Sequence, residues 1–215
     1  MSQETFTEQL RKIFLENGVC REYQPGQMLV EWGQPATHIC FIASGQARTF
    51  CANPAGDDIT LFYLDAESMI CSEALGQGGT VRVNVQAITQ VEMYRVPASR
   101  FLQQWTAAGY AIQDLFDPLI SRLTLLSDYI CCAHFRENPK RVAYFLYSCY
   151  TRTGPLVEFS NWQIAEITGI NRVSVNRILN HLAKNGIVEL GYRKIRILNV
   201  EELEMVFHSV GYFID

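Results

Sequence analysis

The sequence predicts an α+β fold: an N-terminal β-rich domain, a long helix, and a C-terminal helical module that ends in a hairpin. Three observations predict it. From Val19 to about Val96, short stretches rich in Val, Ile, Thr, Phe and Tyr alternate with turn signals ("QPG" at 24–26, "GQPA" at 33–36, "SG" at 44–45, "NPAGDD" at 53–58, "GQGG" at 76–79). That regular spacing is the pattern of a β sandwich or barrel. From about Gly109 to Phe135, apolar residues recur at helical intervals. Beyond residue 137, helical patterns are punctuated by Gly169 and Gly186 and give way to alternation around Gly191-Tyr192.

Each element follows in order. Residues 4–17, "ETFTEQLRKIFLEN", form a short amphipathic helix closed by Gly18, with Phe6, Leu10, Ile13 and Phe14 on its apolar face. "HICFIASGQARTF" gives two strands around Gly45, and "DITLFYL" another. Pro97 opens a helix, "PASRFLQQW". In the long helix, Phe116, Leu119, Leu123, Leu126, Ile130 and Ala133 fall at alternating spacings of three and four, a heptad seam. The seam suits a partner chain; the alternative is a helix packed inside its own core. "ENPKRVAYFLYSCY" starts the next helix, with Asn138 expected as N-cap and Pro139 at its first position.

"SNWQ" at 160–163 fits a capping box of Ser160 with Gln163, opening a helix that stops at Gly169. Asn171 caps a second helix over 172–184. Two short helices joined through a glycine turn make a helix-turn-helix. "IVELGYRKIRIL" adds a hairpin, so the module is the winged version. The expected division is 1–108 for the β domain, 109–136 for the long helix and 137–215 for the winged module.

Length and composition narrow the possibilities. The 215 residues are 48% apolar, enough for a sizeable core, and no apolar run approaches the roughly 20 residues of a membrane span. The polar start "MSQETFTEQL" lacks the pattern of a signal peptide, so a cytoplasmic location is expected. Seven cysteines without a C-x-x-C read as reduced thiols that act mostly as small buried hydrophobes, not as a zinc site. The four histidines are scattered, and neither a nucleophile–base pair nor a phosphate loop is present, so no enzyme activity, catalytic residue or metal site is expected.

Charge is unevenly spread. The chain carries a formal −4. Residues 1–135 hold 8 Lys/Arg against 14 Asp/Glu, whereas 136–199 hold 10 Lys/Arg against 4 Asp/Glu. A basic module therefore lies between acidic segments. Since salt screens beyond about 8–10 Å, local charge decides phosphate binding. On the 172–184 helix, Val175, Ile178, Leu179 and Leu182 make the buried face, leaving Arg172, Val173, Asn176, Arg177 and Asn180 outward with no acid among them. Arginine can grip guanine, asparagine adenine, and an apolar group the thymine methyl. Lys184, Arg193, Lys194 and Arg196 are better suited to phosphates, and Ser160 is a further candidate DNA contact.

The order of helix, β-roll, long helix and winged helix-turn-helix resembles the Crp–Fnr family of bacterial transcription regulators over nearly the whole chain. The resemblance rests on "YQPGQMLVEWGQPATHICFIASGQART", "DITLFYL" and above all "IAEITGINRVSVNRILNHLAKNGIV". It implies a jelly-roll domain of the cyclic-nucleotide-binding kind with an effector site between roll and long helix. It also implies a homodimer through Phe116, Leu119, Leu123, Leu126 and Ile130, double-stranded DNA with an inverted repeat as target, and RNA polymerase as a partner. Arg172 and Arg177 match the family's recognition-helix arginines. Val173 replaces the glutamate that in many members accepts from cytosine, which implies a different half-site, with thymine facing Val173. Valine here also occurs in relatives that respond to halogenated aromatics.

The effector segment, "ESMICSEALGQGGTVRVNVQA", departs from the cyclic-AMP pattern. Glu73 can stand for the ribose-binding glutamate, but Ser72 replaces the glycine before it. Val81-Arg82 stands where the Arg-Ser pair belongs, after a one-residue deletion. Cys71 falls at the haem-thiolate position of carbon-monoxide sensors, yet the partner histidine is Glu73. The expected pocket residues are Tyr63, Cys71, Ser72, Glu73, Arg82, Ser127 and Asp128. Their expected ligand is a small organic acid or aromatic anion, ahead of a cyclic nucleotide or haem, and no cofactor is assigned. A gas or redox sensor that uses haem, Cys71 or the adjacent Cys131-Cys132 is the alternative.

Overall fold

The computed structural model describes residues 5–53, 55–76 and 79–208. Pro54 and Gln77-Gly78, in two of the expected turns, lie outside the described residues. The chain divides into two units, Met1–Arg122 and Leu123–Asp215.

In the first unit, helix α1 (Phe6–Asn17) opens on a reciprocal cap. The Thr5 hydroxyl accepts from the Glu8 N–H at 3.3 Å, and the Glu8 carboxylate accepts from the Thr5 N–H at 2.7 Å. Eight strands follow: β1 (Val19–Tyr23), β2 (Met28–Val30), β3 (His38–Ser44), β4 (Ala47–Ala52), β5 (Asp58–Leu64), β6 (Ser68–Ile70), β7 (Asn84–Ala87) and β8 (Val91–Pro97). They form two four-stranded antiparallel sheets, ordered β1-β8-β3-β6 and β2-β7-β4-β5, the two-sheet roll that the turn spacing predicts. Gly45 turns β3 into β4 at φ +88°; a Cβ there would lie 2.1 Å from the Gln90 carbonyl oxygen, so only glycine fits.

Strand β3 is buried on both faces. On one face Phe41 stacks on Phe14 of α1, ring centroids 5.3 Å apart. Phe14 in turn meets Phe101 of α2 (Ala98–Ala107), and Phe101 stacks on Trp105. Fully burying one such side chain contributes about 2–3 kcal/mol, so these rings fasten both helices to the sheet. Cys40 and Ile42 point to the opposite face, as strand alternation requires. Past β6, Cys71 takes a left-handed backbone, φ 62°, before a 3-10 turn, Ser72–Leu75. For a residue with a Cβ that conformation costs about 1 kcal/mol.

The long helix is shorter than its apolar pattern. Trp105 Nε1 donates to the Ala111 carbonyl at 2.9 Å, and a 3-10 turn, Ile112–Leu115, follows. Helix α3 (Asp117–His134) starts there, with Pro118 at its second residue. Residues 109–116 are thus a connection, and Phe116, expected as the first seam position, lies just outside the helix.

The second unit contains α4 (Asn138–Thr153), β9 (Leu156–Val157), α5 (Asn161–Thr168), α6 (Arg172–Lys184), β10 (Val188–Gly191), β11 (Lys194–Ile197) and α7 (Val200–His208). Glu137 rather than Asn138 is the α4 N-cap, and it makes no side-chain cap bond. Pro139 still occupies the first turn, where no N–H is required. The core joins Val142, Phe145 and Leu146 of α4, Ile164 of α5, Val175, Ile178, Leu179 and Leu182 of α6, and Leu203 and Val206 of α7. The sheet order is β10-β11-β9. Helix α7, capped by Asn199 accepting from the Glu202 N–H at 3.0 Å, packs on α4.

Candidate functional site

In the second unit, α5 opens on the expected box: the Ser160 hydroxyl accepts from the Gln163 N–H, and the Gln163 side chain accepts from the Ser160 N–H. Gly169 ends the helix at φ 67°, a left-handed turn that glycine adopts without strain. Asn171 then caps α6 by accepting from the Ser174 N–H at 2.8 Å. Four buried side chains, Val175, Ile178, Leu179 and Leu182, hold α6 on the core and so fix which face is free. That face carries Arg172, Val173, Asn176, Arg177 and Asn180, all exposed, Val173 by 79%.

Not every cation of the basic segment is available to DNA. Arg141 is structural: its guanidinium donates to the Phe135 carbonyl at 2.8 Å and to the Thr168 carbonyl at 3.1 Å. Lys140 pairs with Glu137, Arg152 with Asp128, Lys194 with Glu158 and Arg196 with Glu189. Among the described residues, Arg136, Arg172, Arg177, Lys184 and Arg193 form no ion pair. Three of them lie on α6, and Arg193 sits in the wing turn with a left-handed φ of 54°. Lys194 and Arg196 face solvent, so their pairs are weak and compete poorly with a phosphate.

The asparagines are linked. Asn161 Nδ2 donates to Asn176 Oδ1 at 3.1 Å, and Asn180 Nδ2 donates to the same oxygen at 3.4 Å. A two-point grip on adenine needs that oxygen free. In this arrangement Asn176 offers the groove donors only. Sequence spacing could not reveal the link, because Asn161 is on the other helix.

In the first unit, three effector candidates, Cys71, Ser72 and Glu73, lie in the turn after β6. Ser72 Oγ accepts from Arg122 Nη1 at 3.2 Å, and Arg122 Nη2 donates to the Met69 carbonyl. The same guanidinium lies 5.9 Å from the Phe62 ring centroid. Burial lowers the pKa of Arg122, opposed by the neighbouring charges of Glu73 and Cys71. Arg122 is the residue the sequence reading missed; its only signal was a lone cation within an apolar helical pattern. Tyr63 lies in β5, and exposed Arg82 stands 5.8 Å over the Trp32 ring. Ser127 and Asp128 belong to the second unit. Ser127 donates to the Leu123 carbonyl at 3.0 Å, and Asp128 pairs with Arg152 at 2.5 Å. Burial raises the Asp128 pKa, and Arg152 partly offsets this.

Helix α3 presents apolar side chains to solvent: Ile120, Leu123 and Ile130 are 57%, 64% and 62% exposed, and Phe116 just before it 52%. Leu119 and Leu126 are half-buried. No helix among the described residues is long and apolar enough to cross a membrane. Among the same residues, no three His, Cys, Asp or Glu side chains cluster as a metal site.

Comparison with known proteins agrees with this geometry. The family described as cyclic nucleotide-binding domain matches residues 20–107, and the Crp-like helix-turn-helix domain matches residues 140–206. The cyclic AMP receptor protein of Thermus thermophilus is 25% identical over 187 residues, 86% of this chain and 87% of that protein. A CooA mutant from Carboxydothermus hydrogenoformans superposes with a TM-score of 0.72 at 19% identity, covering 88% of each chain. FixK2 from Bradyrhizobium japonicum gives 0.67 at 20%, covering 90% of this chain and 99% of that one.

Proposed function

The chain belongs to the Crp–Fnr family of transcription regulators, and on that footing we propose that it acts as a homodimer that reads an inverted-repeat operator through α6. The observation that carries this reading is the exposed, acid-free face of α6, whose Arg172, Arg177 and Lys184 have no ion-pair partner among the described residues. Arg172, Val173, Asn176 and Arg177 read base edges, with Asn180 beside them. Ser160, Lys184, Arg193 and Lys194 hold phosphates. Val173 cannot accept a hydrogen bond from cytosine, so its step is a thymine whose methyl it meets.

Dimerisation is supported by the apolar side chains that α3 exposes, a contiguous stripe of a kind that marks interaction surfaces. Phe116, Leu119, Leu123, Leu126 and Ile130 form that contact, and the dimer works in the cytoplasm with RNA polymerase. The effector is a small organic acid or aromatic anion, met in the β domain by Tyr63, Cys71, Ser72, Glu73 and Arg82, with Arg122 adding a second cation. It must bind the DNA-competent state more tightly than the other, or it shifts nothing.

Fluorescence anisotropy with a labelled duplex tests the surface. Affinity falls steeply with salt, because each neutralised phosphate releases counterions. Arg177→Ala weakens binding to the specific duplex, and a flat salt response contradicts the assignment. A thermal-shift screen of aromatic acids, cyclic nucleotides and haem tests the effector class: stabilisation by cyclic AMP alone contradicts it.

A further inference from the structure

Two cysteines that sequence spacing keeps apart meet inside the β domain. Cys40 is inside β3 and 2% exposed. In register it faces Ile70 of β6 on one side and Arg95 of β8 on the other. Continued alternation would put Cys71 beside Ile39, on the opposite face from Cys40. The left-handed backbone at Cys71 breaks the alternation and swings its side chain round. Cys40, Cys71, Arg95 and His38 consequently line one small cavity of about 20 Å³. The Cys71 thiol, lining the same cavity as Cys40, lowers the Cys40 pKa, with Arg95 helping. The neighbouring Cys40 pushes the Cys71 pKa up most, burial comes next, and Glu73 adds to this.

We propose that Cys40 and Cys71 are a peroxide-oxidisable dithiol, closing an intramolecular disulfide across this cavity. Cys40, held beside the Arg95 guanidinium, is the nucleophile. Its thiolate attacks one oxygen of hydrogen peroxide; the S–O bond forms, the O–O bond breaks, and the departing hydroxide is protonated to water. The Cys71 thiol then attacks the Cys40 sulfur, the S–S bond forms, the S–O bond breaks, and the second water leaves with the Cys71 proton. Two thiols are oxidised by two electrons in all, and one peroxide is reduced to two waters. The cavity has room for a molecule of about the size of water, which selects hydrogen peroxide over bulky organic hydroperoxides. The proposal stands on the β domain alone and does not depend on the DNA-binding or effector readings.

Peptide mapping of the full chain tests it. The reduced protein is exposed to hydrogen peroxide or cumene hydroperoxide, denatured in an alkylating agent, digested and weighed. Hydrogen peroxide is expected to give a peptide pair linked through Cys40 and Cys71, reversible by dithiothreitol, while Cys132 and Cys149 are recovered alkylated. Cumene hydroperoxide leaves the pair reduced. Cys71→Ser is expected to leave a Cys40 sulfenic acid that dimedone traps. Recovery of both cysteines alkylated, at a dose that oxidises exposed Cys20 and Cys131, overturns the proposal. So does a Cys71 linked to some other cysteine, or equal oxidation by the two hydroperoxides.

Discussion

Replacing Arg122 by Met tests how the start of α3 is fastened to the β domain. The substitution keeps an apolar stem beside Phe62 and removes the guanidinium. The Met69 carbonyl then loses its partner, whereas the Ser72 hydroxyl can rotate towards water. An acceptor left unpaired costs about 1–3 kcal/mol, and a bond from a charged donor is at the upper end. Against this, the buried charge of Arg122 no longer has to be desolvated, which returns part of the cost. The net is a loss of about 2 kcal/mol, which for a unit of this size lowers the melting temperature by about 6–10 °C. Arg122→Lys keeps the charge but not the planar fork, and is expected to fall between the two. Differential scanning calorimetry of the three proteins provides the assay. A Met variant that melts with the wild type would mean that the guanidinium holds nothing there.

Three further outcomes are expected. Leu179→Ala, at a fully buried position of α6, is expected to cost about 2–5 kcal/mol in chemical denaturation; a smaller loss contradicts the close packing of the second unit. Val173→Glu places an acid in the first turn of α6, where the helix dipole favours it by about 0.3–1 kcal/mol, so stability holds while preference moves towards a C·G pair by a factor of about 5–150; competition binding with duplexes changed at single steps reads this. His38 has its pKa lowered, by burial first and by Arg95 second. The unfolded chain takes up that proton first as pH falls through 6.5, so stability is present above that pH and is lost below it. His38→Gln is expected to flatten that part of a stability–pH profile, and an unchanged slope contradicts it.

Local pattern made much of this protein legible. Turn residues at regular spacing marked the eight-stranded roll, and Ser160 with Gln163 and Asn171 each caps a helix through bonds within a few residues. The four-residue face of α6 could be read because helical periodicity alone decides it. What escaped depends on distant partners. The apolar pattern of 109–136 ran on past the real start of α3 because Trp105 and a 3-10 turn use its first part. Arg122 reaches back fifty residues to Ser72, Asn161 ties up the oxygen of Asn176 from another helix, and Cys40 meets Cys71 only through strand register and one left-handed residue. The basic count of 136–199 also overstated the DNA surface, since Arg141 spends its charge on carbonyls inside its own unit.

The claim that α6 reads DNA is tested most directly by selecting binding sites for the purified protein from a random pool of duplexes. Two inverted half-sites are expected, centred about one helical turn or a whole multiple apart, with thymine at the step facing Val173. A selected site that is a single, non-repeated sequence, or one with a strong C·G requirement at that step, contradicts it.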